Sequence, residues 1–331
     1  MRRARCCSLR AIRLAEWLVE RGIGETRAVL LDGDRIVAAR VIPDGELVAG
    51  TVVEVRLVAR LPERNQGIVA WDDHEALVTP LPAGVTQGAL TRVEIVRPAI
   101  PEPGKPKRAR ARPSAAAPAP APPIAGRPLR HTDPDAFEAA GWSELLEEAA
   151  SGTVAFAGGS LHIALTPAMT LIDVDGMLPP SALAIAGAQA AAQTIRRLGI
   201  AGSIGIDLPG AADKTARHAA AAAIDAALPQ PFERTAVNGF GFVQIVRRRT
   251  ARALPEIYAM EPAAAHARAL LRRAERSAGA GERTLTAHPA VLAAILPEWI
   301  AELTRRIGAP VTLQPDAARP ISGGHAQARF A

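Results

Sequence analysis

The sequence predicts an α+β multi-domain protein in which a small β-barrel of OB type precedes an α/β core and a small α/β tail. Three observations carry this. Short β-rich runs separated by turn signals fill residues 15–97, a proline- and alanine-rich basic stretch follows at 98–131, and helical and strand patterns alternate from about 134 onward. The length of 331 residues allows two ordinary domains with a sizeable core.

In the first region, RAVLLDGDRIVAARVI, GTVVEVRLVARL, QGIVAWDD and LTRVEIV read as strands, and Asp32-Gly33 between two apolar runs is a hairpin signal. Several short strands at this spacing suggest a barrel or sandwich, with Trp17 and Trp71 read as barrel core. Residues 98–131 contain ten prolines and the cluster KPKRARAR at 105–112, a composition predicting a semi-extended linker that holds RNA phosphates non-specifically or is simply solvated. In the core, a helix is expected over about 134–150, with strands near 153–157, 160–166 and 169–174. A long alanine-rich helix over 181–198, a strand at 202–207, a helix over 211–228 and strands near 233–238 and 241–248 complete it, through residue 255. The tail, 256–331, shows helices near 262–278 and 288–307 and a strand at 310–314.

Composition excludes some classes. No run of 18 apolar residues is present, so no transmembrane helix is expected. Residues 1–14 carry five arginines with no apolar stretch after them, which reads as a basic arm and not a secretory signal. Cys6 and Cys7 are the only cysteines, so neither a disulfide framework nor a CxxC zinc site is available and a reducing cytoplasm is expected. The net charge of +6 is matched by residues 98–131 alone, where seven Lys/Arg face only Glu102, so the global charge says little about the folded parts.

The candidate chemistry lies at two strand ends. Thr170-Leu171-Ile172-Asp173-Val174-Asp175-Gly176 closes a β-rich run with carboxylates two positions apart, on one face of a continuing strand. Ser203-Ile204-Gly205-Ile206-Asp207 is a second apolar strand ending in aspartate. If the strands are neighbours, three carboxylates converge, a way to offer hard oxygen ligands to Mg²⁺. The competing reading is that each aspartate caps a helix or a turn. The scattered histidines, His162 among them, show no metal-ligand spacing and read as surface or satisfied core residues.

Taken in order, MTLIDVDG, a helix bearing Arg196, GSIGIDLPG and a strand pair running NGFGFVQIVRRR resemble the catalytic core of the ribonuclease E/G family over roughly 137–255. The resemblance implies a DNase I-like core, a Mg²⁺-dependent endoribonuclease acting on single-stranded RNA, and Asp173 and Asp207 as metal ligands. It places Asp175 at the position of a catalytic-site asparagine. Phe240 matches the family's aromatic position, Gln244 stands for its usual acid, and Arg247 and Arg249 match its arginines. Asn238, Phe240, Gln244 and the arginines 196, 247 and 249 are thus the expected RNA contacts; Phe240 and Phe242 facing the core, and a solvated arginine triplet, are the alternatives. The chain lacks the family's zinc-link cysteines and a 5′-end sensor region, so a zinc-linked dimer is not expected. Three functions follow as alternatives: an active nuclease, an inactive RNA-binding paralogue, and an unrelated α/β protein.

Overall fold

A computed structural model describes residues 16–100, 107–210 and 213–329; the predicted basic arm, with Cys6 and Cys7, lies outside them. The chain opens with an antiparallel meander, β1 (Glu16–Arg21), β2 (Glu25–Asp32) and β3 (Arg35–Pro43). The expected hairpin is present: Gly33, at φ +65°, supplies the left-handed turn that joins β2 to β3. Leu18, Val29, Ala39 and Val41 point into the main core, the period-two pattern of a strand with one buried face.

The chain then leaves this sheet to build the barrel from β4 (Val52–Leu61), β5 (Gln66–Trp71), β6 (His74–Val78), β7 (Leu90–Arg97) and β8 (Ala109–Pro113). It closes in the order β4-β5-β6-β8-β7 with only the β6–β8 pair parallel, the connectivity of a five-stranded OB barrel. Val55, Leu57, Val69, Val93 and Ile95 fill it, with Ala109 and Ala111 completing the wall. After the barrel, β9 (Arg127–Leu129) returns to pair with β1 in parallel.

Two expectations are corrected here. The stretch 98–131 is not a linker throughout: Arg108-Ala109-Arg110-Ala111-Arg112 alternates alanines into the barrel with arginines outside it, and β9 belongs to the first sheet. Its charge and proline content concealed that alternation. Nor is 15–97 one barrel module, because β1–β3 form a separate sheet and the barrel is inserted between β3 and β9. Trp17 accordingly sits on that sheet, half-buried beneath Arg40, whereas Trp71 does pack on the barrel core.

The middle of the chain folds as α1 (Ala136–Ala139), α2 (Trp142–Ser151), β10 (Thr153–Phe156), β11 (Gly159–Leu165), β12 (Thr170–Gly176), α3 (Pro180–Arg197), β13 (Gly202–Asp207), α4 (Lys214–Ala227), β14 (Glu233–Arg234) and β15 (Phe242–Arg247). Gly141, at φ +87°, breaks the expected first helix in two, and the strand expected over 233–238 shortens to β14. The sheet runs β10-β11-β12-β13-β15-β14, with β12–β13 its parallel pair. Helix α3 touches β12 on one side, β3 on another and α4 on a third. Alanine on several faces suits a helix enclosed in this way. At Gly187 a Cβ would stand 2.3 Å from Val174 Cγ1, so glycine is what lets α3 lie this close to β12.

The last third comprises α5 (Leu254–Met260), α6 (Pro262–Arg276), β16 (Glu282–Ala287), α7 (Pro289–Ala293), α8 (Pro297–Ile307), β17 (Val311–Pro315) and β18 (His325–Arg329), with a sheet ordered β17-β16-β18. The helix expected over 288–307 is two, because Pro297 starts a new one. No helix of the described residues is long and apolar enough to cross a membrane.

Helix α6 is bound to the first sheet by charge. Arg268, Arg272 and Arg276 recur every four residues and so share a helix face. Arg268 Nε donates to Glu25 Oε2 (2.8 Å), Arg272 Nε to Glu20 Oε1 (2.9 Å) and Arg276 Nη2 to Glu20 Oε2 (2.5 Å), while Arg27 reaches Glu20 at 2.6 Å. Glu20 and Arg27 are only 1% exposed. Burial alone would raise the Glu20 carboxyl, but Arg27, Arg272 and Arg276 outweigh it and bring it from 4.5 down to about 2. A carboxyl lowered on folding stabilises the native state fully above its unfolded pKa and loses that contribution as pH falls toward the folded one. Unfolding free energy is therefore expected to drop by about 3 kcal/mol through this group between pH 4.5 and 2. Urea titrations across that range measure it, and a flat profile would show that Glu20 is not held down.

Candidate active site on the open sheet face

Strand parity divides the six-stranded sheet. Ile172, Val174, Ile204, Ile206, Val243 and Ile245 are buried in the core, and the alternate positions Leu171, Asp173, Asp175, Gly205, Asp207, Phe242 and Gln244 take the opposite, open face. Register then gathers them into rows. His162 on β11 faces Asp173 on β12, Asp173 faces Asp207 on β13, and Asp207 faces Phe242 on β15. In the adjoining row Ser160 faces Asp175.

Neighbouring strands lie about 4.8 Å apart, so register on the same face allows the two aspartates to turn their carboxylates toward one small cation. Both side chains are exposed. Among the described residues no group of three or more His, Cys, Asp or Glu is placed to hold a metal. The convergence of three carboxylates expected from the sequence is thus not found; what the pair offers is two hard oxygen donors, the type of ligand that Mg²⁺ takes through one or two carboxylates while keeping several waters. Soft or borderline metals, which favour thiolate and several imidazoles, are less well served.

The surroundings are specific. His162 Nε2 lies 3.7 Å from Asp175 Oδ2 and 3.2 Å from Ser160 Oγ. The Phe242 ring and Leu171 close over Gly205, where a Cβ would come within 2.5 Å of the ring. Asn238 Oδ1 accepts the backbone N–H of Phe240 (2.9 Å) and of Phe242 (3.0 Å), which fixes the turn between β14 and β15. Leu208 N donates to Gly241 O at 3.2 Å, tying that turn beside Asp207. Phe240 projects from it 93% exposed.

Of the residues singled out in the sequence, the open face and its bordering turn unite Asp173, Asp175, Asp207, Asn238, Phe240 and Gln244. Neither Phe240 nor Phe242 joins the core. The arginines are elsewhere. Arg247 lies five residues beyond Phe242, about 17 Å along the strand, and shares the core-facing parity of Val243 and Ile245. Its Nη1 donates to Ile200 O at 3.0 Å, and burial followed by the neighbouring Arg196 and Arg40 lowers its pKa. Arg249 pairs with Glu256 and donates to Ala201 O at 3.0 Å. Arg196 and Arg247 thus border the carboxyl end of α3, with Arg249 on the loop that follows it, away from the aspartates.

His162 and Ser160 are the residues that sequence spacing missed. Their signal was the hairpin: Leu165 faces Thr170, so three steps back along each strand sets His162 opposite Asp173. No protein-family model and no curated protein sequence matches this chain.

Proposed function

We propose that the open face is the active site of a Mg²⁺-dependent endoribonuclease that cleaves single-stranded RNA. The observation carrying this reading is the registered pair Asp173–Asp207 on adjacent parallel strands. The ordered likeness of the sequence motifs in residues 137–255 to the ribonuclease E/G core supports it, as does an OB-type barrel in the same chain. In that role a bound Mg²⁺ supplies Lewis-acid polarisation of a phosphoryl oxygen and a more acidic water. Asp173 and Asp207 bind the ion and fix its position against the sheet. His162, beside Asp175 and Ser160, offers a ring nitrogen to orient water or take a proton at the edge of the aspartate row. Phe240 provides a face on which an unpaired base stacks, and the turn held by Asn238 keeps that face next to Asp207. The cytoplasm is the expected location, with any oligomer formed without a zinc link.

Labelled single-stranded RNA incubated with the protein and Mg²⁺, with and without EDTA, tests the proposal. EDTA-sensitive fragments with 5′-phosphate ends are expected. Absence of cleavage, or 2′,3′-cyclic phosphate ends from attack by the ribose hydroxyl, would overturn it. One residue favours a second reading, an RNA-binding paralogue without cleavage: Asp175, a charged acceptor where the family has an asparagine able to donate. RNA bound but left intact is its signature.

Phe240→Ala is expected to weaken single-stranded RNA binding roughly tenfold, since stacking one base contributes about 1–3 kcal/mol. Folding stability should stay within about 0.5 kcal/mol, as for exposed positions in general. Filter binding and urea unfolding read the two quantities, and unchanged affinity removes Phe240 from the interface.

A further inference from the structure

Away from the aspartate face, a cavity of about 580 Å³ opens between α2, the corner joining α5 to α6, and Ile321 and Ser322. Its wall carries three polar side chains, of which Tyr258 is buried, His266 half-buried and Arg273 exposed at the rim. The hydroxyl of Tyr258, the ring nitrogens of His266 and the guanidinium of Arg273 make no hydrogen bond with any described residue, and no described carboxylate lies within 4 Å of Arg273. Tyr258 is the chain's single tyrosine and is 7% exposed. His266 meets it edge-on, with ring centroids 5.0 Å apart. The contrast with the next residue on α6 is informative: Arg272 is saturated by Glu20 and Asp135, and Arg273 is left over.

Burial raises the Tyr258 hydroxyl and lowers His266 and Arg273, so Tyr258 is a neutral donor, His266 neutral and Arg273 the positive charge of the group. Perturbed titratable groups converging on one cavity mark a binding site more often than a structural one. Donors that have no acceptor within the fold are free to bond a ligand rich in acceptors. Opposite them, Leu146, Ala150, Pro262 and Ala269 form an apolar wall suited to a flat ring. Glu138 and Glu147 also border the cavity, and Glu138 acts on Arg273 through its charge, which disfavours any ligand with more than one phosphate.

We propose that this cavity binds a small organic phosphate of nucleoside-monophosphate size, with Arg273 holding the phosphate, Tyr258 and His266 bonding the polar edge, and the ring lying on the apolar wall. The site is separate from the aspartate face and does not depend on the nuclease reading. Equilibrium dialysis with radiolabelled UMP and AMP, in EDTA and without RNA, tests it whether or not the protein cleaves anything; inorganic phosphate serves as competitor. Saturable binding in the sub-millimolar range is expected, weakened at least about tenfold by Arg273→Gln and about three- to tenfold by Tyr258→Phe. Neither side chain makes a hydrogen bond with another described residue, and both substitutions keep most of the side chain's bulk, so thermal midpoints should stay close to that of the parent protein. If one variant fails to fold, the other decides. No saturable binding at millimolar nucleotide, or folded variants that bind as the parent does, would overturn the proposal.

Discussion

Replacing Asp173 or Asp207 with asparagine is expected to lower Mg²⁺-dependent RNA cleavage about a thousandfold, with the double variant little worse than either single one. A metal acting on a phosphoryl group contributes several kcal/mol to the transition state, and about 4 kcal/mol corresponds to a thousandfold in rate. In the proposed site the two carboxylates serve one ion from register-paired positions, so removing either would remove the same interaction and the losses would not add. Asparagine keeps the shape and both sites are exposed, so the fold should be unaffected. Asp213→Asn is a fitting control: Asp213 accepts the Ala216 N–H at 2.7 Å to cap α4 and stands outside the aspartate row, and asparagine caps about as well, so both rate and stability should stay close to the parent's. More than a tenth of the parent rate in either variant would remove the pair from catalysis. Asp175→Asn separates the two functional readings, because an inactive parent that gains cleavage from this change would trace its inactivity to that carboxylate.

The second large effect concerns folding. Glu20→Gln is expected to lower unfolding free energy by about 3–5 kcal/mol, the range for breaking a buried charge pair. Glutamine leaves Arg27, Arg272 and Arg276 facing one another across a site that is almost fully enclosed. Stability of a natural domain is about 5–15 kcal/mol in total, so the variant should lose at least about a fifth of it. Arg112→Ala, which removes an exposed partner of Glu94 on the barrel, should cost less than about 1 kcal/mol. Urea unfolding of both variants measures the contrast, and a loss below about 1 kcal/mol for Glu20→Gln would mean the network contributes little.

What could be read from the amino-acid sequence follows from the range of the interactions involved. Asp173 and Asp207 could be singled out because Asp207 ends an apolar strand and Asp173 interrupts one, patterns spanning six or seven residues. The 202–207 strand and the long alanine helix were legible for the same reason. Strand β8 was not, since two alanines carry its entire apolar signal inside a run of arginines. The arginines at 196, 247 and 249 were assigned to the site by motif order, yet strand parity turns Arg247 from the open face and a distance of five residues removes it from Asp207. The arginine stripe of α6 looks like an ordinary solvated helix face until the carboxylates of β1 and β2, more than two hundred positions earlier, are brought against it.

That separation bears on how the chain is made. The bond from Arg272 to Glu20 spans 252 positions, whereas every strand of the barrel lies within residues 52–113. As synthesis proceeds the barrel has all its partners once Pro113 has emerged, and local contacts of this kind form early. The first sheet gains β9 soon afterwards, but Glu20 and Arg27 stay without their α6 partners until that helix leaves the ribosome. A nascent chain stopped before Arg268 would therefore carry a folded barrel on an unfinished body, and the charges that later lock the two ends of the protein together would until then keep its incomplete surface in contact with water.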